Sequence, residues 1–237
     1  MDRIRRAFSL VELLVVMGIM AILMGLLLPS LAKARRAGQM VQCSSNLRQL
    51  GIAFTLYAAA HRDIYPAAQD PVTTDPYKTL WMGMGYRPLL EPFLSGSTGR
   101  PSAFICPADR RALTDGSSIT YAYSMCFYRS GEEIDSAYTD YKEQYLPIAP
   151  ATTLRPPMAQ KLSSVRFPSQ KILVGEFYCQ HETLGGDMGW WDARGSRNFL
   201  FADGHVEPLN ASQIQLGRDG LPDPNVTIHG VKGFDIR

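Results

Sequence analysis

The chain carries little net charge. Its 24 Lys and Arg are nearly balanced by 22 Asp and Glu, leaving +2 over 237 residues. That lacks the strongly basic face on which nucleic-acid binding rests, so no nucleic-acid partner is expected. Cysteine is sparse as well: Cys43, Cys106, Cys126 and Cys179 are all there is. No Cys-x-x-Cys pair occurs, which argues against zinc-ribbon and thioredoxin-like sites. Cys179 and His181 stand close together, but no second close pair completes a four-ligand set, so no metal site is expected. Gly-x-Ser-x-Gly, P-loop, His-Glu-x-x-His and dinucleotide signatures are missing. With them go the usual marks of acyl, phosphoryl, zinc and hydride chemistry. The carboxylates Glu132, Glu133, Asp219 and Asp223 fall in loop-like sequence without the dense oxygen ligands of a calcium loop. The chain reads as no enzyme, with no cofactor.

What is present begins at the N-terminus. Hydrophobic residues make up 46% and charged residues 19%, enough apolar mass for a buried core. From Leu13 to Ala32, 20 residues pass without a charge, and Lys33, Arg35 and Arg36 end the run. At about 1.5 Å per residue such a helix spans a hydrocarbon core of roughly 30 Å. A helix apolar all round at this length belongs in lipid. Two membrane readings compete. One is a secretory signal cut after Ser30-Leu31-Ala32, which has the small residues and the basic start. Against it, the apolar run is longer than a signal core, and Glu12 sits within the apolar block. A carboxylate there costs a few kcal/mol in lipid, so it needs a partner. Arginines and lysines flank the span on both sides, so the positive-inside rule does not orient it.

The segment Ala7-Phe8-Ser9-Leu10-Val11-Glu12 resembles the type IV prepilin processing site. In that family a short basic leader is removed before a Phe, the new terminus is commonly methylated, and the fifth mature residue is Glu. With Phe8 first, Glu12 is fifth and Pro29 also falls at the family's place. Ala7 stands where the family usually has Gly. The stretches Gln42-Cys43-Ser-Ser-Asn46, Phe104-Ile-Cys106-Pro107-Ala-Asp109 and Phe201-Ala-Asp203-Gly204-His205 are similar to a large subgroup of bacterial prepilin-like proteins. That subgroup has a C-terminal Asp-Gly motif with a His ten residues upstream, where this chain has Ala193.

The rest of the chain reads as a head. Met40, Cys43, Leu47, Leu50, Phe54 and Tyr57 lie on one helical face, ready to pack on a sheet, and Pro66 marks the helix end. Cys43 reads as an apolar packing residue of that seam. Residues 62–100 read as a long loop region with little regular structure, and 129–162 as a second variable region. Strands are expected at Ser102–Pro107, Ile119–Tyr128 and Lys171–Tyr178. Asn198–Ala202 and His205–Leu209 read as a hairpin closed by a two-residue type I′ turn at Asp203 and Gly204. That turn accounts for Asp203 and His205 without catalysis.

The expected fold class is α+β, with a long N-terminal helix, membrane-spanning in its first half, packed on an antiparallel sheet. Residues 1–7 are the expected leader, 8–61 the helix (8–32 in the membrane) and 62–237 an extracytoplasmic head. The resemblance implies a subunit of a type IV pilus or type II secretion pseudopilus. It further implies cleavage by prepilin peptidase between Ala7 and Phe8, and storage as a single-pass protein of the bacterial inner membrane. Extraction from lipid by inner-membrane machinery would lead to assembly with other pilin subunits. Glu12 would neutralise the Phe8 amine of a neighbour. For an exported head a disulfide is expected, with Cys106–Cys126 the pair assigned because both lie in strand-like segments. The alternative is a membrane-anchored or secreted module whose Tyr- and Trp-bearing loops hold a glycan or protein ligand.

Overall fold

The structure is a computed structural model that describes residues 10–67, 85–94, 102–109, 120–137, 157–181, 186, 189 and 192–236. Helix α1 covers Leu10–Ala60. The chain divides into two units, Met1–Gly38 and Gln39–Arg237, and each is described by itself.

In the first unit, α1 turns apolar side chains in every direction. Leu13, Leu14, Val15 and Val16 are consecutive, so successive steps of about 100° carry them round the axis. All four are about half exposed or more, and Leu10 and Leu26 reach 78% and 72%. No residue of its most apolar stretch is buried. Pro29 lies inside the helix and has no N–H to offer the Gly25 carbonyl. One residue on, the Ser30 hydroxyl donates to the Leu27 carbonyl at 2.8 Å.

In the second unit the character of α1 changes to a single buried stripe. Cys43, Leu47, Leu50, Phe54 and Tyr57 are buried, while Arg48, Gln49, Ile52 and Leu56 are exposed. The stripe meets a four-stranded antiparallel meander in the order β1-β2-β3-β4. Strand β1 is Tyr121–Tyr123, β2 Ile172–Glu176, β3 Ser196–Phe201 and β4 Val206–Asn210. Alternation sorts the faces. Tyr121, Tyr123 and Leu200 join the helix side, in one cluster with Leu47, Leu50 and Phe54. Ala122, Phe199 and Phe201 point the other way, into a smaller cluster with Ile172, Leu209 and Ile214. Strand β2 carries an irregularity between Ile172 and Val174. Leu173 is the extra residue, which lets it and Val174 both reach the helix-side cluster. The fold is therefore α+β.

Several local expectations need correction. Ser102–Phe104 is a single 3₁₀ turn and not a strand. Pro107 removes a ladder donor and instead sits in a turn closed by Asp109 N–H donating to the Cys106 carbonyl at 2.9 Å. The expected strand 119–128 is ordered as β only at Tyr121–Tyr123. Ser124 then caps a 3₁₀ turn, Met125–Phe127, its hydroxyl accepting from Cys126 N–H. Within 129–162, Gly131–Ala137 is a short helix, and Arg87–Leu90 forms another within 62–100.

The hairpin exists, but its turn is not the two-residue type I′. Phe201 N–H donates to the His205 carbonyl and Gly204 N–H to the Phe201 carbonyl, both at 2.9 Å. Ala202-Asp203-Gly204 is thus a three-residue loop. Gly204 has φ 93°, whereas Asp203 is not among the positive-φ residues, and type I′ needs both. Glycine at the last loop position supplies the left-handed residue of a G1 bulge.

The C-terminal segment locks the second face. Ile214 bridges Ile236. The Ile172 N–H donates to the Asp235 carboxylate at 2.7 Å, and Lys171 Nζ lies 3.1 Å from its other oxygen. Thr227 also donates to Asp235. Lys171 is fully buried and Asp235 is 2% exposed.

Candidate functional site

Two regions carry chemistry. The first is the N-terminal helix. Glu12 lies in its first turn, on the exposed apolar segment of α1. Ala7 and Phe8 lie outside the described residues.

The second is a buried polar centre where the helix meets the sheet. Cys43 is placed on the α1 stripe and Cys106 by the turn at Pro107. They form a disulfide that closes a separation of 63 residues. A loop of that size is worth about 4 kcal/mol in the chain-entropy picture. The expected Cys106–Cys126 pair is therefore wrong, and so is the reading of Cys43 as a plain packing residue. Cys126 is a buried free thiol whose Sγ donates to the Asn225 carbonyl at 3.2 Å. The 3₁₀ turn at Met125–Phe127 commits it to the C-terminal segment and away from Cys106. Cys179 is buried and outside the disulfide, its Sγ donating to the Ser196 carbonyl at 3.2 Å.

Around the bridge the polar groups are ordered. The Tyr121 hydroxyl donates to the Cys43 carbonyl at 3.2 Å, and Asn46 Nδ2 to the Ile105 carbonyl at 2.9 Å. Thr120 Oγ1 donates to Asp109 at 2.7 Å. Thus the segments around Cys43-Ser-Ser-Asn46 and Phe104–Asp109, far apart in sequence, are one contact. Glu176, at the end of β2, is fully buried. It accepts from Asn198 N–H at 2.9 Å and from Asn198 Nδ2 at 3.0 Å. Ser44 Oγ donates in turn to Asn198 Oδ1 at 3.1 Å. His181 Nε2 stands 2.9 Å from Glu176 Oε1 and 3.9 Å from Cys106 Sγ. Burial pushes the Tyr121 phenol well above its usual range, and the Glu176 carboxylate adds to that. Tyr65 is pushed up to about 12, again by burial first and then by Asp203.

Sequence reasoning missed Glu176 and the use of His181. The available signal was a carboxylate inside the apolar run Ile172-Leu-Val-Gly-Glu176-Phe, since a buried charge needs partners.

Asp203 and His205 sit together at the hairpin tip, Oδ1 to Nδ1 2.6 Å, each more than a third exposed. The same Oδ1 accepts His205 N–H at 3.1 Å, the Asx-type closure expected of a turn. A cavity of about 410 Å³ lies by the C-terminal segment, lined in part by Arg166, Phe167, Lys232 and Phe234. Trp81, Tyr138, Tyr141 and Tyr145, which the ligand-binding alternative relies on, fall outside the described residues.

Residues 2–28 match the family model described as prokaryotic N-terminal methylation motif. Residues 32–98 match the model described as protein of unknown function, DUF1559. No curated protein matches the chain, and no solved structure matches it. The first match is the type IV pilin and pseudopilin signature, and it covers Ala7, Phe8 and Glu12.

Proposed function

We propose that this chain, which bears the prokaryotic N-terminal methylation motif, is a prepilin-like subunit of a type IV pilus or type II secretion pseudopilus. Residues 1–7 are the leader, 8–61 the helix with 8–32 in the membrane, and 62–237 the head outside the cytoplasm. Prepilin peptidase cuts between Ala7 and Phe8, and inner-membrane machinery moves the subunit from lipid into a filament of like subunits. Its role is structural and not catalytic.

The observation that carries this reading is the motif match at residues 2–28 joined to a helix whose first half is apolar on every side and exposed. Such a surface is stable only against lipid or against other apolar helices. A filament supplies the second environment: a heterologous, open-ended contact repeats indefinitely and buries each helix among its neighbours. In that core the Phe8 amine and the Glu12 carboxylate compensate each other, since either alone is an unpaired buried charge.

The test is the intact mass of the protein recovered from native membranes. Loss of the residues before Phe8, with one added methyl group, is the expected result. A mature terminus at Lys33 would mean a cleaved secretory signal and a released head, and would end the pilin reading.

A further inference from the structure

The surroundings of the Cys43–Cys106 bridge are more polar than a bridge requires. Cys43 Sγ, Cys106 Sγ, His181 and Glu176 each offer one donor atom, and all four atoms lie within 4.8 Å of one another. Cys43, Cys106 and Glu176 are fully buried, and the His181 side chain is 8% exposed. These groups come from helix α1, the turn at Pro107, the end of β2 and the bend after it.

An imidazole and a carboxylate converge on the two sulfurs, and together the four donors are of the kinds a tetrahedral ion of the zinc class takes. Metal–sulfur bonds of about 2.3 Å and metal–nitrogen or –oxygen bonds of about 2.0–2.1 Å put donor atoms roughly 3.3–3.8 Å apart. The His181–Glu176 distance of 2.9 Å and the His181–Cys106 distance of 3.9 Å are each within a fraction of an ångström of that range. Two thiolates, an imidazole and a carboxylate are the ligand types such an ion takes. The carboxylate is also held from behind. Asn198 donates to both oxygens of Glu176, and Ser44 orients the Asn198 amide. Outer hydrogen bonds of this kind fix metal-ligating carboxylates. The His181 ring is positioned through Nε2 alone, because buried Nδ1 has no hydrogen-bond partner among the described residues.

We propose that, with Cys43 and Cys106 reduced, this centre binds one divalent ion of the zinc class through both sulfurs, His181 Nε2 and one oxygen of Glu176. The disulfide and the metal complex are then two states of one site. Binding displaces the two thiol protons to solvent, and the proton held between His181 Nε2 and Glu176 moves to Nδ1 or to solvent, leaving two metal–thiolate bonds and a free Nε2 lone pair for the ion. To reach that state from the bridge, a dithiol reductant gives two electrons to the Cys43–Cys106 bond and becomes a disulfide itself. In reverse, a disulfide-class oxidant takes two electrons from the thiolates, the sulfur–sulfur bond re-forms and the ion leaves unchanged in charge. Both states tie α1 to the 102–109 segment. The metal state ties the end of β2 to them as well.

The experiment uses the full chain in detergent micelles. It is reduced with a phosphine, freed of reductant without air, and titrated with Co²⁺, then Zn²⁺. One Co²⁺ per chain is expected, with thiolate-to-metal charge transfer in the near ultraviolet and the strong visible bands of a tetrahedral ion, all lost on adding Zn²⁺. The oxidised chain should show neither. H181A and E176Q, whose folding is verified with the bridge intact before reduction, should weaken Co²⁺ binding about tenfold or more. C179S should keep the wild-type spectrum. Reduced wild type that stays folded by circular dichroism yet takes up no Co²⁺ overturns the proposal. So does a spectrum unchanged in both H181A and E176Q, or one that disappears in C179S.

Discussion

At the scale of single residues, the second unit depends on buried charges that have partners. Lys171 and Asp235 lie 3.1 Å apart and are essentially inaccessible to water. The Asp235 carboxylate also accepts Ile172 N–H. Removing one member leaves the other buried and uncompensated. Asp235→Ala is expected to destabilise the head by about 3–5 kcal/mol. The double substitution Lys171→Met with Asp235→Leu should recover part of that loss, because the unpaired charge goes with the pair while the buried Ile172 N–H still lacks its acceptor. Denaturant unfolding of the full chain in detergent, comparing the single and double variants, checks both. A single variant as stable as the parent would mean that the tail is not anchored through this carboxylate. Glu176 follows the same logic. It sits inside a strand at a cost that Asn198 and His181 offset.

At the scale of elements, the close approach of α1 to β3 decides how the sheet is covered. A Cβ on Gly51 would stand 3.0 Å from Leu200 Cδ1 and 3.8 Å from the Gly204 Cα. The first of these is the end of a movable side chain. Gly51→Ala should therefore be close to neutral, within about 1 kcal/mol, because relief of the glycine penalty in a helix offsets a small shift of Leu200. Gly51→Val adds two methyl groups against both Leu200 and the hairpin loop. It should cost about 1–3 kcal/mol. Equal stability of the valine variant and the parent, by chemical denaturation with unchanged slope, would rule out this close helix–sheet approach. The hairpin loop makes a related point. Asp-Gly between apolar runs signals a turn, but the turn type depends on where the strand register closes. Here Phe201 pairs with His205, so glycine alone takes positive φ.

At the scale of the whole molecule, the proposed function separates entry into the membrane from entry into a filament. Glu12 is the single charged residue between Phe8 and Ala32. Glu12→Val should ease insertion, since a carboxylate in lipid costs a few kcal/mol. It should sharply reduce assembly, because the Phe8 amine loses its compensating charge. Glu12→Asp should fall between, with the charge kept and its reach shortened. Membrane-fraction abundance measured against sheared-filament or crosslinked-oligomer abundance distinguishes the two steps. Normal filament yield from Glu12→Val would remove Glu12 from the assembly contact.

What the sequence determined by itself is what depends on near neighbours. The uncharged run Leu13–Ala32 set the first half of α1, and the stripe Cys43, Leu47, Leu50, Phe54 and Tyr57 set the face of its second half. Both follow from helical period and side-chain transfer energy, which act over a few turns. The β-rich runs around Tyr121–Tyr123 and Ile172–Glu176 made the class α+β legible for the same reason. The tertiary structure alone decided the long-range pairings. Four cysteines in fully paired form allow three connectivities, and nothing local ranks them. Cys43 meets Cys106 because a turn at Pro107 and a helical face converge, while a Ser124-capped turn draws Cys126 elsewhere. Glu176 and His181 become neighbours of that bridge, and Lys171 of Asp235, only after the sheet has closed. Their interaction depends on separations of a few ångströms between atoms that the chain holds many residues apart, and no local periodicity encodes such a distance.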